Sequence, residues 1–348
     1  MILPRHLQLF AIATALVAPV ALGAARHGPR PVEAPGQGRG EWTDPSPHRV
    51  RRVPVRPGIE LEVLDWGGPA RGGRGTPLVF LAGYGNTAHV FDGFAPRFRD
   101  RFHVLAITRR GFGASTRAAG GYDNVTLAGD VLAVLDALHL ERPVLVAHSF
   151  GGAELNAIAL RRPAAARAFV YLDGGFDFAE LYADPEWTRV PIPRAPLPPG
   201  YDGTLRAAAA YTALVTGPGY PEAEIRAQNA PGVRPPPAPG FHADSLETWL
   251  RRGTPRANFR AIRVPALAIY GVPRTVEEKY PWSANAPAAL RRQAARRYQV
   301  EAPLLARQRE RFRREVPGAR VVVIPGGRHY VFLTHPQEVA AAIRGFAR

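Results

Sequence analysis

The nine residues Val144–Gly152, Val-Leu-Val-Ala-His-Ser-Phe-Gly-Gly, constrain the chain more than any other stretch. Apolar, β-favouring residues stop abruptly at Ala147-His148-Ser149-Phe150-Gly151, and an alanine-rich helical pattern follows at once. A strand that turns so sharply into a helix strains the backbone of the residue at its apex. It also leaves room only for small side chains two positions to either side. Ala147 and Gly151 fill those positions, with Ala147 standing where the G-x-S-x-G pattern usually has glycine. Such a turn lifts the Ser149 hydroxyl out of the sheet. It also aims the unpaired N–H groups of the next helix at negative charge forming beside it. A pattern this short equally fits an ordinary strand–turn–helix with a surface serine, so its neighbours in the chain carry the decision.

Those neighbours alternate. Val50–Val55 and Ile59–Trp66 read as two strands around Pro57-Gly58. Pro77–Ala82 is a continuous apolar run, as in a strand buried on both faces, and ends in Gly83-Tyr84-Gly85-Asn86. A helical pattern then runs through Phe98, and Phe102–Ile107 is a further strand. Leu127, Val131, Val134, Leu135 and Leu138 recur at helical spacing within Val125–Leu140. After the elbow come a helix to about Arg161 and a strand at Ala168–Leu172. The rhythm resumes with strands at Ala266–Tyr270 and Arg320–Ile324, a long helix or helix pair over Ala288–Glu315 broken near Pro303, and a closing helix at Pro336–Phe346. Strands alternating with helices predict an α/β fold, a mostly parallel sheet with helices on both faces.

Residues 174–259 break this rhythm. Proline clusters at Pro191–Pro199 and Pro231–Pro239, aromatics (Tyr182, Trp187, Tyr211, Tyr220, Trp249) are interspersed, and helical patterns occur only at Ala207–Val215 and Asp244–Arg251. This segment reads as an inserted cap over the open ends of the strands, with 50–173 and 260–348 forming the core. Residues 26–49, rich in Pro, Gly and Arg, read as a flexible segment. Residues 1–25 have the order of a secretory signal peptide: Arg5, an apolar run Leu7–Leu22, then small residues Gly23-Ala24-Ala25. The expectation is an exported protein, periplasmic or secreted, with an uncleaved N-terminal membrane anchor as the alternative. Cleavage leaves no integral membrane span.

The net charge of +16 raises the question of nucleic acid. Lys279 is the one lysine, and arginine is spread along the chain with Ala, Gly and Pro. The densest basic run, Arg291–Arg314, is distributed around a helix and interrupted by Glu301 and Glu310, which describes a solvated face, so no nucleic-acid partner is expected. With no cysteine, disulfides, thiolate metal sites and a cysteine nucleophile are excluded. No cofactor or metal fingerprint is found, and the chemistry below needs neither.

A serine hydroxyl needs a base, a group to orient that base, and N–H donors for the oxyanion. His329 lies in Gly326-Gly327-Arg328-His329, straight after the last predicted strand, where open α/β sheets place ligands and catalytic groups. His148, His89 and His335 compete with it, but His148 reads as packing and His335 as a helix start. The oxyanion donors expected are the N–H groups of Phe150, after the nucleophile, and of Tyr84, in the glycine loop after the third strand.

Four pieces now stand in order: Leu-Ala-Gly-Tyr-Gly at 81–85, Thr-Arg-Arg-Gly-Phe-Gly-Ala-Ser at 108–115, Ala-His-Ser-Phe-Gly-Gly at 147–152 and Pro-Gly-Gly-Arg-His-Tyr-Val-Phe-Leu-Thr-His-Pro at 325–336. Together they resemble the α/β-hydrolase fold family over about residues 50–348. The resemblance implies a mostly parallel eight-stranded sheet with an inserted cap, and Ser149 and His329 as nucleophile and base. The triad acid departs from the family pattern. After Ala266–Tyr270 the loop reads Gly271-Val272-Pro273-Arg274, with arginine at the expected acid position. Asp173, at the end of the strand after the elbow helix, is preferred because a strand end fixes a side chain well. Glu277 and Glu278, further along the loop, are the alternative acids.

Relatives with aspartate at the elbow are dehalogenases or epoxide hydrolases, whereas serine implies acyl transfer to water. The leading expectation is a serine carboxylesterase acting on a small or medium acyl ester. A second is an aminopeptidase of the proline-iminopeptidase type, with Asp177, Glu180, Asp184 or Glu186 holding a substrate amine. A third is a relative that binds a small-molecule ligand without turnover. Oligomeric state is not read from the sequence.

Overall fold

The computed structural model describes residues 42–69, 75–229, 237–239 and 241–347. The expected leader, residues 1–25, lies outside the described residues, as does most of the second proline cluster. Eight strands form one sheet: β1 Arg49–Arg56, β2 Ile59–Gly67, β3 Thr76–Leu81, β4 Phe102–Ile107, β5 Val144–His148, β6 Ala168–Leu172, β7 Ala266–Val272 and β8 Arg320–Pro325. Their order is β1-β2-β4-β3-β5-β6-β7-β8. β1 and β2 run antiparallel to their neighbours, and every pairing from β4 to β8 is parallel.

The apolar runs explain the layering. Successive side chains of a strand face opposite sides, and here both sides are covered. Leu78 and Phe80 of β3, with Val144 and Val146 of β5, enter one core. Val79 and Leu81, with Leu145 and Ala147, enter the other. Helices α1 (Asn124–Ala137) and α2 (Gly151–Arg161) cover one face, and the closing helices α10 (Val331–Thr334) and α11 (Pro336–Phe346) contribute to the other. The remaining helices are α3 Phe178–Ala183, α4 Pro185–Arg189, α5 Leu205–Thr216, α6 Glu222–Asn229, α7 Ala243–Arg252, α8 Val276–Lys279 and α9 Ala288–Glu315. Helices α3 to α7 form the insertion between β6 and β7, with no strand among the described residues there.

Two local expectations change. The helical pattern before Phe98 becomes two short 3-10 turns, Ala88–Phe91 and Ala95–Phe98, separated by Gly93. Their phenylalanines still pack on Phe80, at centroid distances of 4.9 Å for Phe91 and 5.9 Å for Phe98. The long helix is not broken at Pro303. Tertiary contacts hold both halves: Arg297 donates to the carbonyls of Trp187 and Val190 at 2.8 Å, and Phe312 is fully buried in the core. Residues 42–48, the end of the segment read as flexible, make specific contacts in the structure. Trp66 donates to Ser46 Oγ at 2.8 Å, and the His48 side chain is almost wholly buried.

The strand order places the site. The chain leaves β3 toward β4, then crosses back to place β5 on the other side of β3. The loops after β3 and β5 therefore diverge at a switch point, where open α/β sheets form their ligand crevice. Those loops are Gly83-Tyr84-Gly85-Asn86 and the Ser149 turn.

Candidate active site

The elbow is a close fit of backbone on backbone. Ser149 has φ 50° and Asp173 φ 45°, two of the four non-glycine residues with positive φ among the described residues. Strain is thus concentrated at two of the expected site residues. Ser149 N donates to Leu172 O at 3.0 Å, and Asp173 N to Ile269 O at 2.8 Å, which ties both apices to neighbouring strands. A Cβ added to Gly152 would meet Gly174 O at 2.1 Å, and one added to Gly174 would meet Ser149 O at 2.6 Å. Glycine at these positions lets the Asp173 loop lie directly against the Ser149 turn. Ala147 is tolerated because its methyl group sits 3.3 Å from where a Gly151 Cβ would be, with no such atom present.

His329, after β8, reaches the same spot. Its Nδ1 lies 2.8 Å from Asp173 Oδ2. With the carboxylate accepting the Nδ1 proton, Nε2 carries the lone pair. Ser149 Oγ and His329 Nε2 are both buried and neither has a hydrogen-bond partner. The role of His148 is more specific than packing. Its Nε2 lies 3.1 Å from His329 O, and its ring packs tilted against the His329 ring at 4.7 Å and the Tyr330 ring at 4.8 Å. Burial, reinforced by the His329 charge, drives His148 well below the usual histidine range. It is therefore a neutral donor holding the His329 loop.

The loop after β3 is held by a residue that sequence reasoning passed over. Arg109 donates to Ala82 O at 2.8 Å and to Gly83 O at 3.1 Å, and it pairs with the buried Glu154 of α2. A trans peptide points its C=O and N–H in opposite directions. Fixing the Gly83 carbonyl on Arg109 therefore turns the Tyr84 N–H away from Arg109. Gly83 itself packs tightly on the nucleophile, since a Cβ there would lie 3.1 Å from Ser149 Cβ. Phe150 begins α2 with no side-chain cap, so no side chain competes for the first N–H groups. The arginine was visible in the 108–115 motif, but its target carbonyls were not.

A second network joins three separate segments. Asn86, in the loop after β3, accepts from Tyr330 at 3.1 Å and donates to Tyr220 at 2.8 Å and to Glu224 at 3.0 Å. Glu224, on α6 of the insertion, also accepts from Thr87 N at 2.9 Å and from Gln228 at 2.6 Å. Burial outweighs these hydrogen bonds and pushes Glu224 up to about 7.

The other candidates are engaged elsewhere. Glu278 forms an ion pair with Arg274, accepting from its backbone N at 2.6 Å, and Glu277 is exposed. Neither is hydrogen-bonded to His329. His335 precedes α11 without a capping hydrogen bond and contacts Thr334 at 3.0 Å, and His89 lies among Asp44, His48 and Asp92. Asp177 pairs with Arg256 and Arg311, and Glu180 with the same two arginines. Asp184 caps α4, and Glu186 pairs with Arg189. A cavity of about 170 Å³ lies behind α2, lined by residues including Asn156, Phe176 and Phe178, and does not include Ser149 or His329. Ser149 is 0% exposed.

The family model described as the alpha/beta hydrolase family matches residues 78–342. The chain belongs to the alpha/beta hydrolase family. Within this family it is 37% identical over 102 residues to a non-heme chloroperoxidase of Kitasatospora aureofaciens, covering 29% of this chain and 35% of that protein. It is 30% identical over 101 residues to the 2-(acetamidomethylene)succinate hydrolase of Mesorhizobium japonicum, covering 29% of this chain and 36% of that one. These matches span about a third of the curated relatives' length. Over the whole fold, the crystal structure of E-2-(acetamidomethylene)succinate hydrolase aligns with a TM-score of 0.57 at 22% identity. That alignment covers 86% of this chain and 99% of the other. The alpha/beta hydrolase sheet and flanking helices are common to both. Relatives of this chain carry hydrolase, esterase, haloperoxidase and epoxide hydrolase names.

Proposed function

We propose that this alpha/beta hydrolase is a serine carboxylesterase for small or medium acyl esters, working through Ser149, His329 and Asp173. The observation that carries the reading is the 2.8 Å contact of His329 Nδ1 with Asp173 Oδ2 beside the strained Ser149 turn. It favours Asp173 over Glu277 and Glu278 as the acid. In the first half-reaction, Ser149 Oγ attacks the acyl carbon while its proton passes to His329 Nε2. Asp173 steadies the imidazolium without itself becoming protonated. The carbonyl oxygen becomes an oxyanion facing the N–H groups of Phe150 and Tyr84. Collapse expels the alcohol, which takes the proton from His329. Water then repeats the sequence on the acyl-enzyme and releases the acid.

Serine at the elbow disfavours epoxide opening through an aspartyl ester, even though an epoxide hydrolase is among the relatives. The aminopeptidase reading loses support because Asp177, Glu180, Asp184 and Glu186 are bonded within the fold. The insertion between β6 and β7 acts as a cap. Ser149 is buried, and in this reading the cap admits the substrate.

The test is a fluorophosphonate probe followed by p-nitrophenyl esters of graded chain length beside aminoacyl-nitroanilides. The expected result is a covalent label on Ser149, lost in Ser149→Ala, with turnover of the esters only. A wild-type protein that takes no label is a ligand binder, and nitroanilide turnover returns the aminopeptidase.

A further inference from the structure

A group of four side chains stands apart from the nucleophile. Asp44 and His48 come from the strap before β1, and His89 and Asp92 from the 3-10 turn after the loop that carries Tyr84. One ligand atom from each lies within 4.8 Å of all the others. Individual separations are 2.9 Å for His89 Nδ1 and Asp92 Oδ2, 3.2 Å for His48 Nδ1 and Asp92 Oδ1, and 3.4 Å for His89 Nδ1 and Asp44 Oδ2. Ligand atoms about 2.0–2.1 Å from a tetrahedral metal are themselves about 3.3 Å apart.

Proximity alone describes many surface clusters, but two atoms here set this one apart. His48 Nδ1 and Asp92 Oδ1 are both buried, and neither makes a hydrogen bond although they are 3.2 Å apart. Their side chains are only 4% and 6% exposed. Two orphaned polar atoms at this depth are destabilising unless something satisfies both. A cation between them satisfies both.

We propose that Asp44, His48, His89 and Asp92 form a structural site for a divalent transition-metal ion of the zinc type. Two imidazoles and two carboxylates suit zinc, and the closed four-ligand set suits a structural role rather than a catalytic one. The consequence is mechanical. The metal staples the strap at 42–48 to the turn Ala88–Phe91, one residue beyond Thr87, which Glu224 already holds from the cap.

The experiment uses the full chain purified without a histidine tag, stripped with chelator and dialysed against zinc. The expected result is one zinc per chain by elemental analysis and a Tm raised by on the order of 5 °C over the stripped protein. Cobalt in place of zinc should give the intense visible absorption of a tetrahedral site. Asp44→Asn, on the half-exposed strap, and His48→Ala should each lose the stoichiometric metal and the Tm shift. Circular dichroism reports whether the variants remain folded. Zinc retained equally by the variants would place it elsewhere and overturn the proposal. So would a wild-type protein that holds no zinc and has a Tm indifferent to chelator. Neither outcome depends on the esterase reading, which the ester assay tests separately.

Discussion

At the scale of single residues, the site depends on atoms whose positions the backbone dictates. Asp173→Asn would present an amide that cannot hold the Nδ1–H tautomer of His329. We expect kcat to fall by about 10⁴-fold with the fold intact. Glu277→Gln and Glu278→Gln should leave kcat within a factor of two or so of wild type, since such surface changes touch neither His329 nor Ser149. Reversal of that pattern in steady-state kinetics would move the acid to the β7 loop. Arg109 acts through the Gly83 peptide rather than on substrate. Lysine at 109 keeps the charge near Glu154 but cannot reproduce the forked contacts to Ala82 O and Gly83 O. The expected effect is a loss of about 10²-fold in kcat with KM little changed, as for a misaimed oxyanion donor. A loss carried by KM alone would show that the arginine shapes binding instead.

At the scale of elements, the insertion and the loops around Asn86 and Tyr330 are joined through one buried carboxylate. Glu224 on α6 bonds Asn86 and Thr87 in the loop after β3, and Asn86 in turn bonds Tyr330, the neighbour of His329. Its folded value of about 7 lies above the ordinary value of 4.5. Between those values the folded chain keeps a proton that the unfolded chain has released. Stability from this group is therefore full below about pH 4.5, declines as pH rises toward 7, and is level beyond. The window amounts to at most about 3 kcal/mol. Urea unfolding at pH 5 and pH 8 should show this decline in the wild type and its absence in Glu224→Gln. Equal pH slopes for the two proteins would remove Glu224 from the linkage. The glycines of the elbow make a parallel case. Gly152→Ala drives a methyl group into the Gly174 carbonyl, and a destabilisation of about 2–4 kcal/mol is expected from thermal or urea denaturation.

At the scale of the whole molecule, no helix among the described residues is long and apolar enough to cross a membrane. Export is proposed from residues 1–25 alone. N-terminal sequencing of protein recovered outside the expressing cell should find a start close to Gly23–Ala25, and an intact Met1 on membrane-bound protein would favour the anchor. Residues of α9 and the loop after β7, among them Tyr280, Trp282 and Ala294, bury a satellite apolar cluster with Ala195 and Val215 of the insertion.

The sequence by itself determined the sheet, its mostly parallel character and the order of the site's parts. Those follow from local information: apolar runs of strand length, helical periodicity, and a turn so sharp that only small residues flank it. Ser149 and His329 stood out as candidates because each follows a strand. Tertiary structure alone decided how long-range contacts were closed. Asp173 meets His329 across 156 positions of chain, and Arg109 finds two carbonyls whose direction no motif encodes. Pro303 is carried inside a helix because Arg297 and Phe312 anchor both halves. Asp44 and His48 gather with His89 and Asp92 because the strap folds back over the turn after β3. The physical reason is the same throughout: propensity and pattern act over a few residues, whereas the partner of a buried polar atom is chosen by packing, which brings together segments that the sequence keeps apart.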